Sequence, residues 1–142
     1  MSHNKSSQHR VTLSAIIIVA VITLSFILIF FVADEEINQA NLEYIQACGY
    51  VPEPSPAEVS YISIPETLDA VYSAYNAIIS EGGFDLSKYA GKTVMRYSYN
   101  IQNHTDDAVR INILVYRKKI IAADISSLVE NGFILPLLPK ES

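Results

Sequence analysis

The chain has one cysteine, no tryptophan and five glycines in 142 residues. A single cysteine excludes an intrachain disulfide, so Cys48 is expected as a small buried apolar side chain, with pairing to a second chain or thiol chemistry as the alternatives. Histidine is nearly as scarce, and His104 is the only one beyond residue 10. Zinc requires clustered Cys and His, and nucleophilic catalysis requires a base beside the nucleophile. The acidic runs Asp34-Glu35-Glu36 and Asp106-Asp107 lack the alternating oxygen ligands of a calcium loop. No G-x-S-x-G, P-loop or G-x-G-x-x-G is present. No catalytic, cofactor or metal site is therefore expected. Asn103-His104-Thr105 satisfies N-x-[ST], which matters only in a host that glycosylates such sites.

A second absence is of charge. Val11 to Ala33 contains no charged residue, proline or glycine, and as a helix it would extend ~34 Å, enough to cross a ~30 Å hydrocarbon core. A cleavable leader would be shorter and would end on small residues, whereas Phe31 stands where cleavage needs a small side chain. The run is read as a retained anchor, with a cleaved leader as the competing reading. Its polar residues are only Thr12, Ser14, Thr23 and Ser25, which disfavours transport, and without glycine it lacks a G-x-x-x-G pairing face. Lys5 and Arg10 precede it and Asp34-Glu35-Glu36 follow, which places the N-terminus in the cytoplasm and the rest outside. The expected organisation is a cytoplasmic tail over 1–10, a transmembrane helix over 11–33, a helical stalk with a Pro-rich connector over 34–57, and an extracytoplasmic domain over 58–142.

Bases are missing from Asp34 to Ser87, while Lys88 to Ser142 holds eight of the ten Lys and Arg residues. A net charge of −5 and the expected compartment disfavour nucleic acid, and none is expected as a partner. Glu35 to Cys48 reads as a helix stopped by Gly49, and Pro52-Glu53-Pro54-Ser55-Pro56 as an extended connector. Val59 to Ile64 can form a short strand. A helix is expected from about Glu66 to Ser80, with Leu68, Val71, Tyr72, Tyr75, Ile78 and Ile79 on one apolar face. From Lys92 to Ile101 the period becomes 2, with Thr93, Met95, Tyr97, Tyr99 and Ile101 opposite Val94, Arg96, Ser98 and Asn100. Val109 to Tyr116 and Ile120 to Ile125 continue as strands, separated by turns at His104–Asp107 and Arg117–Lys119. The expected fold is α+β, a three-stranded antiparallel meander covered by the 66–80 helix.

The runs Ile64-Pro65-Glu66, Val71-Tyr72-Ser73-Ala74-Tyr75-Asn76, Gly83 to Val94, Leu114-Val115-Tyr116 and Ile121 to Ile125 resemble a domain-of-unknown-function family of short bacterial membrane-anchored proteins. The similarity covers about residues 44 to 133, and G-F-D-L-S-x-Y-x-G-K is its most specific block. The resemblance implies glycines where Ala122-Ala123 stand and a cysteine near Ser126. If that cysteine pairs in the family with one near position 48, the bridge is lost here. No activity comes with it.

All nine tyrosines follow the apolar run. Tyr97 and Tyr99 share one side of a strand and are the candidate residues for contact with a protein or peptide partner. The expected function is a non-catalytic binding, sensory or regulatory module held at the membrane by one span. The alternative is an envelope-acting enzyme whose site is assembled from scattered residues.

Overall fold

The computed structural model describes residues 3–104 and 109–140, with side chains over 15–28 and from 34 onward. The expected acidic pair Asp106-Asp107, and all of the 104–107 turn except His104, lie outside the described residues. The chain divides into two compact units, Met1–Ile37 and Asn38–Ser142, and helix α1 (His3–Ala47) contributes to both.

In the first unit the apolar side chains from Ile16 to Leu28 are exposed along the helix. Thr23 satisfies its hydroxyl within that helix, donating to the carbonyls of Val19 at 3.0 Å and Ala20 at 2.9 Å, the back-bonding open to a hydroxyl on an apolar helix. Among the described residues no helix is long and apolar enough to cross a membrane. The side chains of 11–14 and 29–33 lie outside the described residues, and the remaining 15–28 is shorter than the ~20 apolar residues a crossing needs.

In the second unit the end of α1 is not a free stalk. Asn41 and Ile45 are fully buried and Cys48 nearly so. The helix closes as expected at Gly49, whose φ of 87° lets the Tyr50 N–H return to the Ile45 carbonyl at 3.3 Å. The Pro-rich connector is extended but attached. Asn38 Nδ2 donates to the Pro54 carbonyl at 2.9 Å, and the Glu53 and Ala57 N–H groups donate to the carbonyls of Asn100 and Ser98.

The sheet has five strands where three were expected. β1 (Glu58–Ser63), β2 (Thr93–Asn100), β3 (Val109–Tyr116), β4 (Lys119–Ser127) and β5 (Ile134–Pro136) lie in sequence order, each antiparallel to the next. The connector delivers β1 onto β2, and the chain after β4 folds back as β5. α2 runs from Ala70 to Ser80, later than expected, because Asp69 accepts the Tyr72 N–H at 2.9 Å and fixes the first turn there.

The helical cover also differs from the expectation. α2 packs on the side of Val94, Leu114 and Ala122, in a cluster with Ile64, Ile79, Leu86 and Ile121. A bulge opposite Leu114/Val115 lets Ile121 join Ala122 in that cluster. The opposite side carries Tyr97, Tyr99, Ile111, Ile113 and Val115, all buried, and α1 reaches it through Asn41 and Asn38 bonded to Tyr99. One sheet therefore separates two apolar layers, each with its own helix.

Candidate ligand-binding site

The α2 side of the sheet changes character along its length. Pairing register sets Ile62 beside Val94 and Leu114 beside Ala122 at one end, an apolar patch under the helix. Toward the other end Glu58, Ser98, Asn112 and Asp124 stand opposite one another across four strands. A cavity of about 370 Å³ opens where the two regions meet, within the ~300–1,000 Å³ range of small-molecule sites. Its apolar wall is Ile62, Val71, Tyr72, Leu114 and Ile134, and its polar wall is Tyr75, Arg96, Asn112, Asp124 and Ser126. Val71, 74 % exposed, and Ile134, 48 % exposed, are the wall residues most open to water, while Asp124, 3 % exposed, is the deepest of the polar group.

The polar wall is built around Asp124. One carboxylate oxygen accepts the Tyr75 hydroxyl at 2.8 Å and the other accepts Asn112 Nδ2 at 2.9 Å. Asn112 is itself saturated, donating to Ser126 Oγ at 2.8 Å and accepting from Ser98 Oγ at 2.7 Å. Burial pushes the Asp124 carboxyl above its ordinary value, against the opposing pull of these donors and of the Arg96 charge. Burial likewise raises the Tyr75 phenol, helped by the neighbouring carboxylate. Arg96 is held by Glu58, whose Oε1 accepts Arg96 Nη2 at 2.6 Å, while its second oxygen lies 3.6 Å from Arg110 Nη1.

Tyr97 and Tyr99, the expected partner-contact residues, are on the opposite side of the sheet, 4 % and 0 % exposed. The Tyr99 hydroxyl accepts from Asn41 Nδ2 at 3.1 Å and donates to Asn38 Oδ1 at 2.9 Å, and burial pushes the phenol up to about 12. As folded, both are packing residues. Cys48 is buried as expected, and desolvation raises its thiol, which disfavours the reactive thiolate. Among the described residues no three His, Cys, Asp or Glu side chains are grouped to hold a metal ion.

The block G-F-D-L-S-x-Y-x-G-K serves the fold. Asp85 caps the short 3-10 helix Leu86–Tyr89 through Ser87, and Leu86 is buried in the α2-side core with its N–H on Asn76 Oδ1 at 2.6 Å. The residues around the cavity lie elsewhere, on α2 and on strands β1 to β5. The signal for them in the sequence was Asp124, a lone acid inside the otherwise apolar run Ile120 to Ile125.

The fold and cavity define a small α+β domain, its sheet clasped between two helices and its pocket on the α2 side. The chain belongs to the family described as Domain of unknown function (DUF4830), which matches residues 44–125. That match begins on the buried end of α1 and ends one residue beyond Asp124. No curated protein and no solved structure matches the chain.

Proposed function

We propose that this protein is a membrane-anchored binding module that displays its α+β domain outside the cytoplasm and takes a small ligand between α2 and the sheet. The observation that carries the binding role is the cavity itself, mostly apolar, with a few convergent polar groups gathered by the hydrogen bonds around Asp124. The anchor rests on the uncharged run Val11–Ala33, and the orientation on the basic residues before it and the acids after it. A protein or peptide partner remains compatible with this reading, at a surface other than Tyr97 and Tyr99.

The enzymatic alternative would lean on Asp124, a buried carboxyl with a perturbed affinity for protons. Both of its oxygens already accept protein hydrogen bonds, which suits a scaffold for binding better than a proton-transfer group. A fragment screen of the labelled full chain should give hits that shift the methyl resonances of Ile62, Leu114 and Ile134 together. A screen without any such hit would overturn the ligand role. For topology, protease added outside sealed cells should digest the domain, and full protection would reverse the orientation.

A further inference from the structure

The Lys and Arg residues of the second unit are not spread evenly over it. Five of the eight, Lys88, Lys92, Arg117, Lys118 and Lys119, stand at one end of the sheet. Register places them there: Met95 pairs with Val115 and Tyr116 with Lys119, so the Arg117-Lys118 turn and Lys92, three residues before Met95, share that end. The 3-10 helix brings Lys88 to it, since the Tyr89 ring meets the Tyr116 ring at 5.7 Å and Lys88 lines a cleft of about 220 Å³ together with Lys119. Asp85, 3.6 Å from Lys88, and Glu66, beside Gly91, offset two of these charges. At the other end Arg96 and Arg110 share Glu58. A chain of net charge −5 thus gathers its positive charge on one surface, where it attracts anions.

The turn does not hold these cations for the sake of the fold. Arg117 and Lys118 have φ of 48° and 64°, a conformation that Asn-Gly adopts without strain and that a long side chain does not. Four of the five cations are Lys, a compact point charge suited to phosphate, whereas a carboxylate is matched by the Arg fork. Tyr89 and Tyr116 are half-buried edge to face, with the Arg117 guanidinium 5.3 Å from the Tyr116 centroid, so neither ring is left to stack a base. Among the described residues no exposed large apolar side chain lies in 84–93 or 116–120 to enter a bilayer.

We propose that this end of the sheet binds a flexible phosphate-bearing polymer without bases, successive phosphates lying on Lys88 and Lys119 at the cleft and on Lys92, Arg117 and Lys118 around the turn. Neighbouring strands are ~4.8 Å apart, which brings the cations of β2, the turn and β4 within reach of consecutive phosphate groups. The surface shares no residue with the cavity beside α2, and neither reading depends on the other.

The test uses the full chain in phosphatidylcholine nanodiscs, titrated with long-chain inorganic polyphosphate, polyglutamate and single-stranded DNA of matched charge while backbone amides are followed by NMR. Polyphosphate should shift the amides of Lys88, Lys92 and Lys119 saturably and bind ~10-fold or more tightly than the other two. Its log affinity should fall against log salt with a slope of about −2 or steeper, the mark of three or more phosphate contacts. Replacing the turn by Arg117→Asn with Lys118→Gly should raise the thermal midpoint, because strain is relieved, and lower polyphosphate affinity ~10-fold. Lys88→Gln and Lys119→Gln should each reduce the salt slope by ~0.7, and Lys140→Gln, outside this end, should leave it unchanged. Equal or tighter binding of polyglutamate or DNA would overturn the phosphate-polymer assignment, and binding to phosphatidylglycerol vesicles alone would make this a lipid surface instead. An affinity unchanged by the Asn-Gly turn, or lowered as much by Lys140→Gln as by Lys88→Gln, would remove the polymer from this end of the sheet.

Discussion

A chain begun at Glu58 should show no cooperative thermal transition and should bind a hydrophobic dye, whereas a chain begun at Asp34 should melt in one sharp step. The difference lies in the last turns of α1. They bury Ile45, Cys48 and Asn41 and hold Asn38 and Asn41 on the Tyr99 hydroxyl. Their loss would bare a sheet side that carries Tyr97, Tyr99, Ile111, Ile113 and Val115. Each large side chain returned to water costs ~1.5–3 kcal/mol, and a domain is stable by only ~5–15 kcal/mol. Removing the cover should therefore consume most or all of the stability. Calorimetry on the two fragments checks it, and a sharp transition in the Glu58 fragment would mean that the α1 layer is dispensable.

Asp124→Ala should destabilise the full chain by ~2–6 kcal/mol, because it leaves the Tyr75 hydroxyl and an Asn112 N–H buried without acceptors at ~1–3 kcal/mol each. Asp124→Asn should cost far less, since its amide oxygen can still accept from Tyr75 and rotation of the Asn112 amide restores the second bond. The two variants also separate a pH effect. Burial raises the Asp124 carboxyl above its ordinary 3.8, so the folded state holds this proton more tightly than the unfolded state does. The resulting stability is fully present below about pH 3.8 and is lost as pH rises through the higher folded value. The wild type should thus lose more stability than Asp124→Asn on going from pH 4 to neutrality. Denaturant titrations at several pH values measure this, and parallel curves for the two proteins would rule out a buried titrating Asp124. Asp85, held low chiefly by the Ser87 hydroxyl, acts with the opposite sign at more acid pH and is common to both proteins.

Alternation made β2 and β3 legible because residues on their inner faces are apolar at every second position. It misassigned the cover because the α2 side is divided end to end. Val94, Leu114 and Ala122 make one half apolar, while Arg96, Ser98, Asn112 and Asp124 make the other polar, and along any one strand the mixture reads as a solvent-facing side. β1 was visible as a strand, but its place in the sheet depends on Pro52 to Ala57 being tied to β2, a tertiary effect. β5 is three residues ending in Pro136, too short for any periodicity. The cavity was illegible for a related reason: its walls come from α2 and all five strands, and only the register brings Asn112 beside Asp124.

The strictly sequential strand order has a consequence in time. Each strand meets its partner as the next in the chain, and β3 joins β4 through a two-residue turn at Arg117 and Lys118, both in the left-handed region, so the β2–β4 ladder can grow by short loop closures. α1 is bound to the sheet by contacts 58 and 61 residues away, and loop-closure entropy increases with such separation. The segment that enters the domain first is thus the last to be satisfied, and until it docks the growing sheet keeps one apolar side uncovered.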